Sequence, residues 1–260
     1  CGCCRSDILA FGGFEEPMPI LKQGHEGISI ISRVGNNIKK AKVGDFVATW
    51  SDPAYADYYY AKENEFTIIP ELHYKYILQP VASALNIVFK ALDSIVLNPT
   101  KDILLMGTGF MSVVIAEYLK YKKIPCKVMG SSHPHIWKSL GIQLINPNIK
   151  LSDESFDCVI DLTSKAENFD KCIKLLKVEG TLCYASTPYT PVTTNFFNAC
   201  WKCINIIMPS PRNMDFPRMM ELARDYIQAG ILNTERLWSK GYDRENPIEV
   251  QNAFLDGLNR

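Results

Sequence analysis

The sequence lacks the charge excess and the long apolar segments that mark several functional classes. Its 28 Lys and Arg residues equal its 28 Asp and Glu residues, so no net positive charge points to nucleic acid. The most apolar runs, such as residues 103–106 and 204–208, are far too short to span a bilayer, and no signal peptide is visible. We therefore expect a cytoplasmic protein with neither nucleic acid nor a membrane as its partner.

The sequence also lacks a disulfide framework, although it is rich in cysteine. The nine cysteines are odd in number and run from Cys1 to Cys203 without a regular spacing. A chain of 260 residues can bury a sizeable core and does not need disulfide bonds for stability. We interpret the cysteines as mostly reduced, which agrees with a cytosolic compartment.

An initiator Met is absent as well. The chain starts within a cysteine-rich motif, CGCCRSD, and stops just after a stretch with helical spacing at residues 248–258. Its two ends therefore read like those of a fragment, and we expect segments to be missing on both sides.

Hydrophobic patterning divides the chain into a β-rich part and an α/β part. Short runs of strand-forming residues between turn residues predict strands in the first part, at residues 27–34, 46–50, 55–61 and 66–69. From residue 80 onward, helical patterns alternate with apolar runs that predict parallel strands, at residues 102–106, 127–129, 156–161 and 180–184. We predict an α/β protein with a doubly wound parallel sheet in this second part.

A glycine turn follows the first of these parallel strands. Gly107-Thr-Gly109 lies between the strand and a helix predicted at residues 111–121, which is the context that a dinucleotide site requires. Gly107 permits the tight turn, and Gly109 lets the backbone approach a pyrophosphate at the helix N-terminus. Ser112 takes the third position, where such sites usually have Gly or Ala. The alternative is an ordinary turn, since many parallel sheets have glycines here.

The end of the next predicted strand bears on the choice of cofactor. A NAD site usually has an acidic residue about 20 residues after the glycine turn, where it binds the ribose 2′-hydroxyl. Here the segment is Gly130, Ser131 and Ser132, which carries no acid and offers hydrogen-bond donors. This composition favours NADP over NAD, and the alternative is a plain loop.

Three possible zinc ligands stand near the start of the chain. Cys4, His25 and Glu26 offer a thiolate, an imidazole and a carboxylate. Asp7 can orient His25 through its second ring nitrogen, as residues behind metal ligands do. The alternative is a free cysteine and a surface His-Glu pair, and these residues alone do not decide between the two.

Four segments together carry a resemblance to a known family. They are CGCCRSD at residues 1–7, GHEG at residues 24–27, VGDFV at residues 43–47 and the turn at Gly107. Their order and spacing resemble the zinc-dependent alcohol dehydrogenases of the medium-chain dehydrogenase/reductase superfamily, over nearly the whole chain. The resemblance implies a GroES-like β-barrel catalytic domain from residues 1–79 and 212–260. It also implies a dinucleotide-binding Rossmann domain from residues 80–211.

The resemblance assigns roles to individual residues. It implies that Cys4, His25 and Glu26 bind one catalytic Zn²⁺, and that Ser6 takes the proton of the alcohol. The cofactor is NADP or NAD, with NADP favoured. The residues expected to bind it, from the motifs and the resemblance together, are Arg5, Gly107, Gly109, Ser112, Gly130, Ser131, Ser132 and Ser186. The full-length protein is expected to be a homo-oligomer with a small-molecule alcohol or carbonyl substrate.

Three departures from the family pattern refine these expectations. Gln79 stands where the family has a third protein ligand, a cysteine or glutamate, so Glu26 would complete the set with Cys4 and His25. Residues 50–58 run on without the four closely spaced cysteines that hold a structural zinc in many members, so we expect a single zinc. The opening and closing strands of the family are also missing, which supports the expectation of a fragment.

The leading hypothesis is a zinc-dependent oxidoreductase. It would transfer hydride between a nicotinamide cofactor and an alcohol or polyol, or the corresponding aldehyde or ketone. One alternative is a zinc-independent quinone or enoyl reductase of the same superfamily. Another is a non-catalytic relative that kept the fold, a possibility that Gln79 and Ser112 favour.

Overall fold

The computed structural model describes residues 2–12, 24–51, 53–69, 75–93, 102–186, 188, 190–210, 214–237 and 240–258. Contacts divide the chain into two units. The first comprises Cys1–Ala82, Asp215–Asp225 and Trp238–Arg260, and the second comprises Ser83–Met214 and Tyr226–Leu237. The predicted domains, with boundaries after residues 79 and 211, differ from these units chiefly at residues 226–237, and that division stays a prediction.

The helices and strands alternate along most of the described chain. The strands are β1 (Gly27–Ile30), β2 (Phe46–Thr49), β3 (Phe66–Ile68), β4 (Ile103–Met106), β5 (Cys126–Met129), β6 (Gln143–Ile145), β7 (Phe156–Asp161), β8 (Leu176–Tyr184) and β9 (Asn205–Ile207). The helices are α1 (Arg5–Gly12), α2 (Leu78–Asp93), α3 (Phe110–Tyr121), α4 (Pro134–Leu140), α5 (Asn168–Leu175), α6 (Phe197–Trp201), α7 (Phe216–Gln228), α8 (Thr234–Leu237) and α9 (Pro247–Leu258). A short 3-10 helix, Lys75–Ile77, precedes α2.

The first unit contains a three-stranded antiparallel sheet in the order β1-β2-β3. Gly27 of β1 pairs with Thr49 of β2, which pairs in turn with Phe66 of β3. Phe11 of α1 stacks on Phe254 of α9 with ring centroids 5.0 Å apart. Helix α9 therefore supports the helix that begins within the cysteine-rich motif.

Two local predictions for the first unit are wrong or incomplete. The strand predicted at residues 55–61 is not formed, because residues 55–58 are bends and residues 59–62 are irregular. The aromatic run has high strand propensity, but the hydroxyls of Tyr55 and Tyr59 bind polar partners in the fold, which decides the local backbone. Helix α1 was not predicted, because the Gly, Ser and Asp residues of the motif are typical of turns.

The second unit contains a six-stranded parallel sheet in the order β6-β5-β4-β7-β8-β9. This is the strand order of the doubly wound dinucleotide-binding fold, which changes direction between β4 and β7. All four side chains of β4 are buried, as expected for the central strand of a parallel sheet. The residues that follow β4, β5, β7 and β8 lie at one edge of the sheet, and they are Gly107, Gly130, Leu162 and Ala185.

Boundaries in the second unit differ from prediction where helix and strand patterns overlap. The strand predicted at residues 180–184 begins earlier than predicted, because α5 ends at Leu175 and Leu176 begins β8, where it pairs with Phe156. The apolar run at residues 201–208 forms the end of α6 and then β9, and strand β6 was not predicted. Among the helices of the described ranges, none is both long enough and apolar enough to cross a membrane.

Candidate functional site

Cys4, His25 and Glu26 come together in the first unit. One donor atom from each lies within 4.8 Å of the other two, and this is the one such group found among the described residues. Cys4 precedes α1, whereas His25 and Glu26 precede β1. Cys4 and His25 are partly buried and Glu26 is buried. Two segments about twenty residues apart in sequence thus form a single cluster.

The glycine of the cysteine-rich motif allows the two segments to approach each other. The Gly2 amide donates a hydrogen bond to the Glu26 carbonyl over 3.1 Å. A Cβ atom at position 2 would lie 2.0 Å from Oε2 of Glu26, which is closer than any side chain tolerates. Glu26 therefore reaches the cluster because position 2 has no side chain.

Asp7 accepts hydrogen bonds from both segments of the cluster through its side chain. Its side chain is 1% exposed, and its Oδ2 accepts a hydrogen bond of 3.2 Å from the Cys4 amide. Its Oδ1 accepts one of 3.1 Å from the Gly24 amide and lies 3.6 Å from Nδ1 of His25. The His25 ring also packs edge-on against Trp50 at 4.9 Å. Nδ1 faces Asp7, so Nε2 is the ring nitrogen left for a ligand.

Burial makes ionisation of the cluster costly in the absence of a cation. Burial, assisted by the nearby Glu26 carboxylate, raises the pKa of the Cys4 thiol to about 12, and hydrogen bonds from Ser6 oppose this shift. Burial, assisted by Asp7, raises the pKa of Glu26 to about 8. A divalent cation among these groups would favour their ionised forms, because an opposite charge lowers the pKa of an acid. The donor set therefore fits a metal ion.

Three further residues predicted for this site lie in the same unit. Ser6 is partly buried and hydrogen-bonds the Cys4 sulfur. Gln79 is 1% exposed in the first turn of α2. Arg5 is the first residue of α1, but its side chain lies outside the described part of the chain.

The glycine turn between β4 and α3 lies in the second unit. Gly107 has a φ of +110°, which only glycine adopts readily, and its amide donates to the Met129 carbonyl over 2.9 Å. Gly109 is the N-cap of α3 and no side chain caps the helix. A Cβ atom at Gly109 would meet nothing within 4 Å, so the space before the uncapped helix is open. This turn fits a pyrophosphate group.

Ser112 stands where such turns usually have Gly or Ala, and this difference places a hydroxyl group in a buried position. It is 1% exposed, and its Oγ has no hydrogen-bond partner among the described residues. The third position of the motif is therefore buried, as the motif requires, but it carries a polar atom that Gly or Ala would not have.

The segment after β5 is held from two sides. The Ser132 amide donates to Oγ1 of Thr108 over 3.3 Å, and the Ser132 carbonyl accepts from Nε1 of the buried Trp137 over 3.2 Å. The side chains of Ser131 and Ser132 are exposed, and Gly130 precedes them. Two hydroxyl groups are thus presented to solvent on a fixed backbone.

The turn after β7 contains a group that the sequence analysis missed. Asp161, the last residue of β7, is fully buried, and its Oδ1 accepts from the Thr163 amide at 2.9 Å and from Oγ1 of Thr163 at 2.6 Å. The Ser164 amide donates to Oγ of Ser186 over 2.9 Å, which links this turn to the one after β8. The sequence feature that could have indicated Asp161 is an acidic residue at the end of an apolar strand.

Comparison with known proteins agrees with both units of this architecture. Residues 1–72 match the family described as the alcohol dehydrogenase GroES-like domain. The matched residues include the cysteine-rich motif, the GHEG segment and the three-stranded sheet. The match confirms the resemblance to the medium-chain dehydrogenase/reductase superfamily that the motifs predicted. No curated protein sequence matches the chain.

Solved structures share the fold beyond the GroES-like domain. An Escherichia coli oxidoreductase/dehydrogenase of unknown specificity, involved in membrane biogenesis, is 18% identical with a TM-score of 0.76, over 99% of this chain and 86% of its own. Staphylococcus aureus TarJ with NADPH is 15% identical with a TM-score of 0.73, over 91% and 77%. E. coli L-idonate 5-dehydrogenase is 14% identical with a TM-score of 0.70, over 91% and 78%. These likenesses concern the fold, and they confirm the prediction of a GroES-like domain with a Rossmann sheet.

Proposed function

We propose that the protein is a zinc-dependent oxidoreductase. It transfers hydride between a nicotinamide cofactor and an alcohol or polyol, or the corresponding aldehyde or ketone. The observation that carries this proposal is the convergence of Cys4, His25 and Glu26, whose donor atoms lie within 4.8 Å of one another. Thiolate, imidazole and carboxylate are zinc ligands, and catalytic zinc sites use three protein ligands and leave one position open.

The distances in the cluster suit a zinc ion with small adjustments. Zinc–ligand distances of about 2.0 to 2.3 Å in a tetrahedron place ligand atoms about 3.3 to 3.8 Å apart. From their limit of 4.8 Å, the three donors need to approach one another by about 1 to 1.5 Å. Cys4, Glu26 and Nε2 of His25 would hold the ion, with Nδ1 of His25 directed to Asp7 at 3.6 Å.

Each group of the chain has a task in the proposed reaction. When bound, zinc supplies a Lewis acid that polarises the substrate oxygen, and the nicotinamide supplies the hydride chemistry. Ser6, which follows the two cysteines and Arg5, receives the alcohol proton through its hydroxyl. Asp7 keeps His25 in one tautomer and one orientation. Burial of Glu26 keeps bulk water from competing for the cluster.

The same proposal places the cofactor at the edge of the parallel sheet. Gly107 and Gly109 receive the pyrophosphate, Ser186 lines the nicotinamide end, and Ser131 and Ser132 face the adenosine ribose. Gly130 and these two serines, without an acid, favour NADP over NAD. Among proteins with this fold, TarJ is described with NADPH and a Sinorhizobium meliloti dehydrogenase with NADP, whereas an E. coli dehydrogenase is described with NADH.

A zinc-independent reductase is the alternative that one observation favours. A Pseudomonas syringae quinone oxidoreductase shares the fold, with 18% identity and a TM-score of 0.66. A reductase of that type has no need for a cysteine, a histidine and a glutamate in one cluster. The cluster therefore favours the zinc enzyme.

Metal content and turnover together test the proposal. We expect one zinc per chain, and we expect chelation to abolish NADP-linked turnover across a panel of alcohols and carbonyl compounds. Cys4→Ala should remove the zinc, because a thiolate ligand is lost. Cys3→Ala is the matched control, because Cys3 is adjacent but exposed, and it should bind zinc normally.

Three outcomes would contradict the zinc assignment or the enzyme assignment. Two zinc ions per chain would point to a second site. Turnover by metal-free protein would favour the quinone or enoyl reductase. Failure to bind NADP or NAD, measured by quenching of protein fluorescence, would favour a non-catalytic relative.

A further inference from the structure

Tyr55 contacts the two segments that bear the metal ligands. Its phenolic oxygen lies 2.8 Å from the Gly2 carbonyl and 3.3 Å from Oδ2 of Asp7. The Gly2 carbonyl and the Asp7 carboxylate accept, so the phenol donates to them. The Tyr55 hydroxyl also hydrogen-bonds the Cys3 side chain. Gly2 precedes Cys4 in the cysteine-rich motif, and Oδ1 of Asp7 lies 3.6 Å from Nδ1 of His25. One hydroxyl therefore binds the cysteine-rich motif near both of its ends, and one of these contacts is the acid beside His25.

The ring of Tyr55 also packs against the turn that carries His25 and Glu26. Gly24 has a φ of +83°, and a Cβ atom there would lie 2.7 Å from Cγ of Tyr55. The Ala54 amide donates to the Gly24 carbonyl over 2.7 Å, which fixes the Tyr55 backbone beside this turn. The ring and the hydroxyl of Tyr55 thus contact both ligand-bearing segments at once.

Helix α9 supports Tyr55 on its other side. The Phe254 ring meets the Tyr55 ring edge-on at 5.7 Å, and Phe254 stacks in turn on Phe11 of α1 at 5.0 Å. Phe254 is 9% exposed and Phe11 is 45% exposed, so the middle of this aromatic row is buried and its far end is not. The phenol is held in place by packing as well as by hydrogen bonds.

We propose that Tyr55 is a positioning residue for the metal centre, acting through Asp7 and the Gly2 carbonyl. This inference rests on the proposed function, because it requires that Cys4, His25 and Glu26 bind a metal ion. Without the phenol, Asp7 loses one of its three hydrogen-bond donors and the Gly2 carbonyl loses its hydrogen bond to Tyr55. Both residues contact the histidine turn, so the ligand segments are held less firmly. Loss of groups behind metal ligands typically lowers metal affinity by about 10- to 100-fold.

Tyr55→Phe is the variant that tests this inference. It keeps the ring against Gly24 and Phe254 and removes only the hydroxyl. Tyr59→Phe is the matched control, because the Tyr59 hydroxyl binds Oγ1 of Thr49 at 2.6 Å and Oγ of Ser29 at 2.7 Å rather than Gly2 or Asp7. Zinc affinity is measured by competition with a chromophoric chelator, and the Tm of the metal-free protein is measured alongside.

We expect Tyr55→Phe to weaken zinc binding by about 10- to 100-fold, with Tyr59→Phe close to the wild type. Cobalt substitution adds a spectroscopic readout, and we expect altered visible bands in Tyr55→Phe alone. A Tyr55→Phe protein with a lower metal-free Tm but unchanged zinc affinity and cobalt bands would overturn the positioning role and leave the zinc site intact. A wild type that binds neither zinc nor cobalt would overturn both the inference and the proposed function.

Discussion

Two buried aspartates show how neighbouring groups decide what a carboxylate does. Asp7 is surrounded by donors, because the amides of Cys4 and Gly24 and the phenol of Tyr55 all direct protons to it. Asp161 has Thr163 as the donor to its Oδ1, and its Oδ2 has no partner within the described part of the chain. Asp7 thus suits a fixed orienting role, whereas Asp161 remains costly to ionise.

Replacing Asp161 with asparagine should change the pH dependence of stability. Burial raises the pKa of Asp161, against the opposing hydrogen bonds from Thr163. The acid's contribution to stability is therefore complete below its unfolded pKa and is lost as pH rises through its folded pKa. Asp161→Asn keeps an oxygen for Thr163 and cannot ionise, so its stability relative to the wild type should increase from pH 4 to pH 7.

Urea unfolding at several values of pH measures this difference. Thr163→Val serves as a control, because it removes the hydroxyl donor and leaves the ionisable acid in place. A relative stability of Asp161→Asn that falls as pH rises would mean that the Thr163 donors lower the pKa of Asp161 in the folded protein. The assignment of a raised pKa would then be wrong.

At the scale of elements, regular patterns were predicted from the sequence and local tertiary effects were not. The run from β4 through the glycine turn to α3 was predicted, because a buried apolar strand, two glycines and a helical spacing all agree there. The strand at residues 55–61 was not formed, because Tyr55 and Tyr59 meet hydroxyl and carboxylate partners that are distant in sequence. Tyr55 as a contact of the ligand segments could not be predicted, since nothing near it in sequence indicates those partners.

The segment after β5 offers a test of cofactor choice at the same scale. A Cβ atom at Gly130 would lie 2.4 Å from Cγ2 of Thr108, so any substitution there would disturb the turn. Ser131 is exposed, and its side chain can change without such a clash. Ser131→Asp should shift preference from NADP toward NAD, because a carboxylate repels a 2′-phosphate and accepts hydrogen bonds from a ribose hydroxyl.

The measurement is the ratio of kcat/KM with NADP to that with NAD. A lost charge-assisted hydrogen bond of about 1.5 to 3 kcal/mol corresponds to about one to two decades in this ratio. Ser131→Asn is the control without charge and should change the ratio far less. A wild type that already prefers NAD would show that residues 130–132 are a plain loop.

At the scale of the whole molecule, each structural unit carries one of the two proposed binding sites. The metal cluster lies within Cys1–Ala82, and the glycine turn lies within Ser83–Met214. The resemblance predicted that Cys4, His25 and Glu26 form the cluster. The sequence spacing of Cys4 and His25 alone did not predict it. Their approach depends on Gly2, Asp7 and Tyr55, whose contacts cross between segments. The cofactor site was easier to predict, because strand, turn and helix follow one another in sequence.

Hydrogen exchange should separate the two sites by their ligands. Zinc should slow exchange of the amides around residues 2–8 and 24–27, and NADP should slow exchange around residues 107–113 and 130–132. A ligand at about 100 times its Kd stabilises the folded form by about 2.7 kcal/mol, which slows exchange through opening of its binding unit by about 100-fold. Cys4→Ala should remove the zinc effect and keep the NADP effect, because the cysteine belongs to the first unit. NADP protection confined to the first unit would contradict the assignment of the glycine turn, and zinc protection confined to the second would contradict the metal cluster.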